Sequence, residues 1–140
     1  MVFAKGLVFG SGFGPKDVKG GLASANPGAI VQTVNPKAVK NELLLEMLAA
    51  QTFRAESSGD LLAKKPEIDL LLRVAGTSQI SKAIKTHGAA DGKEFLAIVA
   101  SRNKIVCPNE YTPEEIPRRP LSKSELEKVE KAALLNAQTA

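Results

Sequence analysis

Four short apolar or β-branched runs of this chain are bounded by glycine, proline or polar residues, and their spacing constrains the fold most strongly. Short apolar or β-branched runs between chain breakers are typical of β-strands. The runs cover residues 1–9, 29–34, 67–75 and 95–100. None approaches the ~20 consecutive apolar residues of a membrane span. The sequence therefore predicts a small central β-sheet of about four strands, in a protein that we expect in the cytoplasm.

Amphipathic segments between these runs predict helices that cover the sheet. Residues 16–25 form a short helix, and residues 79–87 form another. Asn35 as N-cap and Pro36 at the first helical position begin a long core helix that extends to about residue 57. The predicted fold class is α/β (α+β), a small central sheet flanked by helices. The inward face of the helix over residues 79–87 is predicted to consist of Ile80, Ala83, Ile84 and His87.

The C-terminal part of the chain predicts an extended segment followed by a helix. Residues 102–120 hold four of the eight prolines, which favours an extended path with one helical turn at residues 112–115. Ser122 and Glu125 have the spacing of a capping box and predict a terminal helix over residues 122–137. With 140 residues, the whole chain is predicted to be one domain.

Charge and cysteine usage limit the classes of partner and site. The chain carries 19 Lys and Arg against 15 Asp and Glu, a formal net charge of +4, which weakly favours an anionic partner. Its single cysteine, Cys107, can form no internal disulfide and lacks the paired spacing of a zinc site. We therefore expect a protein of a reducing compartment, without a metal or a cofactor.

No group of residues in the sequence supplies a catalytic apparatus. His87 is the only histidine, and no serine or cysteine nucleophile pairs with it by sequence. The glycine-rich turn at residues 10–14 suggests a phosphate-handling enzyme as one interpretation. However, Pro15 stands where a dinucleotide fingerprint has its third glycine. We expect a non-enzymatic protein that binds other macromolecules.

The segment over residues 73–81 combines a predicted strand end, a small turn and a helix N-terminus. Free backbone amides at such a terminus suit a phosphate or a carboxylate, and a well-capped connection is the alternative interpretation. Lys82 and Lys85 lie three residues apart on the following helix, while Lys64 and Lys65 lie in the preceding connection. If these lysines converge, they form a basic patch, and scattered surface lysines are the alternative.

Residues 70–84, Leu-Leu-Leu-Arg-Val-Ala-Gly-Thr-Ser-Gln-Ile-Ser-Lys-Ala-Ile, close at Gly-Ala-Ala-Asp-Gly over residues 88–92. This stretch resembles the small accessory subunit of the KEOPS (EKC) tRNA threonylcarbamoylation complex, in its archaeal form. The resemblance extends from residue 35 to residue 100. It implies a non-catalytic subunit that binds the kinase-like ATPase subunit of the complex. It also implies that the chain helps to hold tRNA by its single-stranded acceptor end, while another subunit forms threonylcarbamoyl-adenosine.

The candidate site residues combine positions that match this family with the nearby lysines. The predicted RNA-binding residues are Arg73, Gln79, Lys82, Lys85, Lys64 and Lys65. The predicted contacts with a protein partner are Ile80, Leu126 and Val129. The alternative function is a pure protein–protein adaptor without RNA contact, whose lysines are solvated surface and whose terminal helix leaves apolar residues exposed.

Overall fold

Strand β3, Phe95–Ser101, lies at the centre of the molecule and is buried along its whole length. The computed structural model describes residues 1–139. In it, β3 pairs with β1, Phe3–Phe9, on one side and with β2, Ile30–Val34, on the other. A two-residue strand β4, Glu114–Glu115, extends the sheet beyond β1. The sheet has the order β2-β3-β1-β4 and is antiparallel throughout, which confirms the predicted α+β class with about four strands.

Five helices cover this sheet within the described residues. They are α1 Pro15–Ala25, α2 Glu42–Ser58, α3 Pro66–Ala75, α4 Ile80–His87 and α5 Lys123–Thr139. The predicted bounds of α1 and α4 are correct to one residue. None of the helices in the described part of the chain is long and apolar enough to cross a membrane.

The strand β3 carries apolar side chains on both faces because each face has its own helical cover. One face packs against α2 and α3, and the other packs against α1 and the segment that follows β3. A strand that is covered on both sides has no polar alternation. The β3 residues on the α2 and α3 side are Leu96, Ile98 and Ala100, and those on the α1 side are Phe95, Ala97 and Val99.

The predicted strand over residues 67–75 is wrong, because this segment forms helix α3. Pro66 occupies the first turn, and Glu67 and Asp69 supply its acidic residues, both of which favour a helix start. Gly76 ends the helix in the left-handed conformation, with φ of 72°. The apolar run is almost unbroken because α3 is enclosed by β2, α2, α4 and α5, and periodicity alone does not separate such a helix from a buried strand.

The long helix α2 begins later than predicted. Asn35 and Pro36 do not start it: the Asn35 side chain instead accepts a hydrogen bond from the Lys37 N–H at 2.9 Å, a turn that asparagine favours. Asn41 is the true N-cap, and its Oδ1 accepts a hydrogen bond from the Leu43 N–H at 3.1 Å. The proline after Asn35 favours that residue as the helix start, but Asn41 also binds the Arg119 backbone through two hydrogen bonds, of 3.1 and 3.2 Å.

The capping box at the start of α5 is confirmed. The Glu125 N–H donates to Ser122 Oγ at 3.2 Å, and the Ser122 N–H donates to Glu125 Oε1 at 3.0 Å.

The helical turn predicted at residues 112–115 is wrong, because β4 forms there. The adjacent Ile116 N–H donates to the Gly6 carbonyl at 2.9 Å. A Cβ on Gly6 would lie 2.6 Å from Ile116 Cδ1, so this glycine lets the proline-rich segment approach β1.

Candidate nucleic-acid interface

Helix α4 lies on the surface and presents both of its lysines to solvent. Lys82 and Lys85 are exposed, as is the N-cap residue Gln79. Ala83 is the only buried residue of α4. The prediction that Ile80 and Ile84 face inward is wrong: they are 44% and 53% exposed, because α3 covers only a narrow stripe of α4.

The N-terminus of α4 is only partly free for an anion. The Gln79 N–H donates to Thr77 Oγ1 at 3.2 Å, and no side chain caps the first turn. One backbone donor of the turn is therefore used within the chain. The positive charge that α4 offers to an anion therefore comes mainly from Lys82 and Lys85.

The other two predicted lysines lie on a different element from Lys82 and Lys85. Lys65 is the N-cap of α3, with Lys64 beside it, and Gly76 is the C-cap at the opposite end. A ten-residue helix is about 15 Å long. Both side chains are exposed, and they belong to the start of α3, whereas Lys82 and Lys85 belong to α4.

Arg73, predicted to contact RNA, is a structural residue. Its side chain is buried, with 2% of the residue exposed. Its Nε donates to Asp69 Oδ1 at 2.7 Å and its Nη2 donates to Asp69 Oδ2 at 3.1 Å. Its remaining donors contact the Ala132 carbonyl at 3.1 Å and Asn136 Oδ1 at 2.8 Å. Because a buried guanidinium must have partners, Arg73 joins α3 to α5 and is not available to a strand of RNA.

Of the three predicted partner contacts, two are accessible to a partner and one is part of the fold. Ile80 is exposed, and Leu126 is 47% exposed. Val129 packs partly buried against the main core, and its carbonyl accepts a hydrogen bond from Gln51 Nε2 at 3.0 Å. Ile80 and Leu126 are therefore accessible to a partner, whereas Val129 holds α5 to α2.

A second group of lysines lines the cavities that His87, which the sequence assigned to the core, also lines. His87 is half-buried and lines two cavities, of about 550 and 130 Å³. The larger cavity is also lined by Asn35, Pro36, Lys37, Ala38, Thr86, Lys93 and Glu94. The smaller one is also lined by Arg73, Val74, Ala75, Gly76, Lys128 and Lys131. We call His87 with Lys37, Lys93, Lys128 and Lys131 the His87 cluster.

Asn35 connects Lys37 and His87, two members of this cluster. Its N–H donates to the His87 carbonyl at 2.9 Å, and its Nδ2 donates to the Thr86 carbonyl at 2.8 Å. The Lys37 N–H donates to its Oδ1 at 2.9 Å. One asparagine thereby fixes the end of α4 beside the turn that follows β2. The local signal was present in the sequence as the Asn-Pro pair, but its partner is about fifty residues away along the chain.

The electrostatic setting of His87 favours a neutral imidazole. Burial lowers its pKa below the usual value of 6.5, and the positive charge of Lys128 lowers it further. Both effects disfavour the protonated ring. At neutral pH the imidazole of the cluster is therefore uncharged.

The described residues contain no group of histidine, cysteine, aspartate and glutamate side chains that could hold a metal ion. The side chains that this surface presents to a ligand are lysines, one imidazole and exposed aliphatic groups. No protein-family model matches this chain. No curated protein matches its sequence.

Proposed function

We propose that this chain is a non-catalytic small subunit of a KEOPS-type tRNA-modification complex. It binds the kinase-like ATPase subunit and helps to recruit tRNA through its single-stranded acceptor end. The resemblance of residues 70–92 to that family supplies the identity of the complex. The observation that carries the RNA-binding part is the set of exposed lysines along α4 and around His87.

Lysine side chains bind RNA through its phosphates. Lys82 and Lys85 are exposed on α4, and the His87 cluster adds four lysines from three other parts of the chain. Phosphate contacts position a strand without reading its bases, which suits a subunit that holds tRNA while another subunit performs the chemistry. Among the residues that the structure describes, Glu94 is the only acidic one that lines either cavity.

The test is a filter-binding titration of tRNA with the variant Lys82→Glu/Lys85→Glu. We expect weaker binding and a flatter dependence on salt, by about 0.7 in the log–log slope for each lost contact with a single strand. Lys64→Glu/Lys65→Glu carries the same change of charge at the start of α3 and is the matched control, with a smaller effect. An unchanged affinity of Lys82→Glu/Lys85→Glu contradicts the assignment of α4 to RNA.

A pure protein–protein adaptor without RNA contact is the second candidate. It is favoured by the exposure of Leu126 and Leu134 on α5, at 47% and 60%, together with Ile80 and Ile84 on α4. Exposed apolar side chains that form a contiguous patch mark protein–protein interaction sites. A pull-down from cell extract with and without nuclease separates the two functions, because an adaptor keeps all its partners after RNA is digested.

A further inference from the structure

The position of the proton on His87 follows from its neighbour Thr86. Thr86 Oγ1 lies 2.8 Å from the Lys82 carbonyl oxygen and 2.7 Å from His87 Nδ1. The hydroxyl has one hydrogen, and the carbonyl can only accept. Both contacts are therefore hydrogen bonds only if Thr86 donates to the Lys82 carbonyl, a common bond of threonine in helices, and Nδ1–H of His87 donates to Thr86.

This arrangement leaves Nε2 of the neutral ring as an acceptor without a proton. Within the described residues, no protein group forms a hydrogen bond with Nε2. The ring lines both cavities of the His87 cluster. The lysines around it are donors that attract anions. The cluster thus combines four cations with one neutral acceptor.

We propose that His87 Nε2 accepts a hydrogen bond from a ribose hydroxyl of the bound RNA, while the neighbouring lysines hold the phosphates on either side. A phosphodiester group offers the ring only acceptors, whereas a ribose phosphate backbone offers a phosphate to the lysines and a hydroxyl donor to Nε2. The 2′-hydroxyl is the group that distinguishes RNA from DNA. The inference rests on the proposed function and adds to it the sugar that the site selects.

The first test compares two single-stranded oligonucleotides of one sequence, with uracil in both, that differ only in ribose or deoxyribose. We expect the wild-type chain to bind the ribose strand about fivefold more tightly, the size of one net hydrogen bond. His87→Phe keeps a planar ring without the acceptor. It is expected to abolish the preference, so that the ribose and deoxyribose strands bind with equal affinity. A His87→Phe protein that keeps the full preference overturns the proposal.

The second test observes the ring directly and needs no ligand. His87 is the only histidine in the chain, so nitrogen-15 NMR of labelled imidazole reports on this residue alone. Above the pKa of the ring we expect the Nδ1–H tautomer, and we expect Thr86→Val to reduce its population because the acceptor for that proton is gone. A ring that carries its proton on Nε2 in the wild-type chain overturns the proposal.

The preference for ribose is also expected to depend on pH. Protonation of Nε2 converts the acceptor into a donor, so the preference disappears as the pH falls through the lowered pKa of His87. A preference that persists when NMR shows a fully protonated ring overturns the proposal.

The charged residues that line the cavities around the ring are Lys128 and Lys131 from α5, Lys37 after β2, Lys93 and Glu94 before β3, and Arg73, which is paired with Asp69.

The outcomes for the wild-type chain separate this inference from the proposed function. If the chain binds neither oligonucleotide nor tRNA, the RNA-binding function fails and this proposal fails with it. If it binds tRNA and both oligonucleotides, with equal affinity for the ribose and deoxyribose strands, the RNA-binding function stands and the role of His87 is overturned.

Discussion

At the scale of the residue, one carboxylate connects the starts of α2 and α5. Glu125 Oε1 accepts from the Ser122 N–H at 3.0 Å and from Asn41 Nδ2 at 3.3 Å, and Asn41 is the N-cap of α2. The pKa of Glu125 is lowered, first by the Ser122 backbone and then by the Asn41 side chain. These bonds favour the charged form of the carboxyl group, so the fold is more stable when Glu125 is ionised.

We therefore predict that Glu125→Gln, which keeps the geometry of the capping box, lowers the free energy of unfolding at neutral pH by less than about 1 kcal/mol. The stabilising contribution of a carboxyl group with a lowered pKa is present above its unfolded value. It is lost as the pH falls through the folded value. Urea denaturation of both proteins across acid pH measures this, and the two curves converge at low pH.

Ser122→Ala is the control for this prediction. It removes the hydroxyl that caps the Glu125 N–H and leaves the carboxylate in place. The Ser122→Ala protein should be less stable at every pH, by about 1 kcal/mol, and should keep most of the pH dependence of the wild type. A constant gap between Glu125→Gln and wild type over the whole pH range contradicts a charge-dependent role.

At the scale of the element, α1 contains two adjacent glycines in different surroundings. Glycine within a helix costs about 0.5–1 kcal/mol relative to alanine. A Cβ on Gly20 meets nothing within 4 Å, whereas a Cβ on Gly21 would lie 2.3 Å from Tyr111 Oη. Tyr111 packs edge-on against Phe9, with ring centroids 5.4 Å apart. We predict that Gly20→Ala raises the free energy of unfolding by about 0.5–1 kcal/mol and that Gly21→Ala gives no gain.

Thermal or urea denaturation of the two variants decides this prediction. Removing the hydroxyl with Tyr111→Phe should restore part of the gain to Gly21→Ala, because the closest atom is then absent. The double variant measures that coupling directly. Equal stabilisation by Gly20→Ala and Gly21→Ala would show that Tyr111 does not hold its place over α1.

The elements themselves were predictable where local chemistry and tertiary structure agree. The runs at residues 29–34 and 95–100 are strands to within one residue, because β-branched and apolar residues stand between chain breakers. The run at residues 67–75 is ambiguous in periodicity, and its assignment depended on Pro66 and Gly76 as start and stop signals. Those signals are local. If Pro66 and Gly76 are given more weight than the apolar run, the sequence predicts helix α3.

At the scale of the whole molecule, the candidate interface could be predicted only in part. Lys82 and Lys85 share one helix, so their spacing alone predicts a common surface. The His87 cluster combines residues from α4, from α5 and from the turns beside β2 and β3. No local pattern shows that Asn35 binds the end of α4. Arg73 was misassigned because its partner Asp69 lies one helical turn away, a spacing that has meaning only once the segment is known to be a helix.

The same arginine determines how α5 is held. The terminal helix buries few apolar side chains: Ala132 and Leu135 are buried, while Leu126 and Leu134 are exposed. Its attachment depends instead on polar contacts, chiefly those that Arg73 makes with the Ala132 carbonyl and with Asn136. Because Lys128 and Lys131 lie on α5, the His87 cluster is complete only when this helix is docked.

We predict that Arg73→Met lowers the free energy of unfolding by about 3–5 kcal/mol, because it leaves the buried Asp69 carboxylate without its cation. Hydrogen exchange should show the amides of α5 losing protection first. Arg54→Met is the matched control, since Arg54 is exposed on α2, and should change stability by no more than about 0.5 kcal/mol. Asp69→Asn/Arg73→Met, which removes both charges, should recover part of the loss. If Arg73→Met leaves both stability and the protection of α5 unchanged, the attachment of the helix does not depend on Arg73.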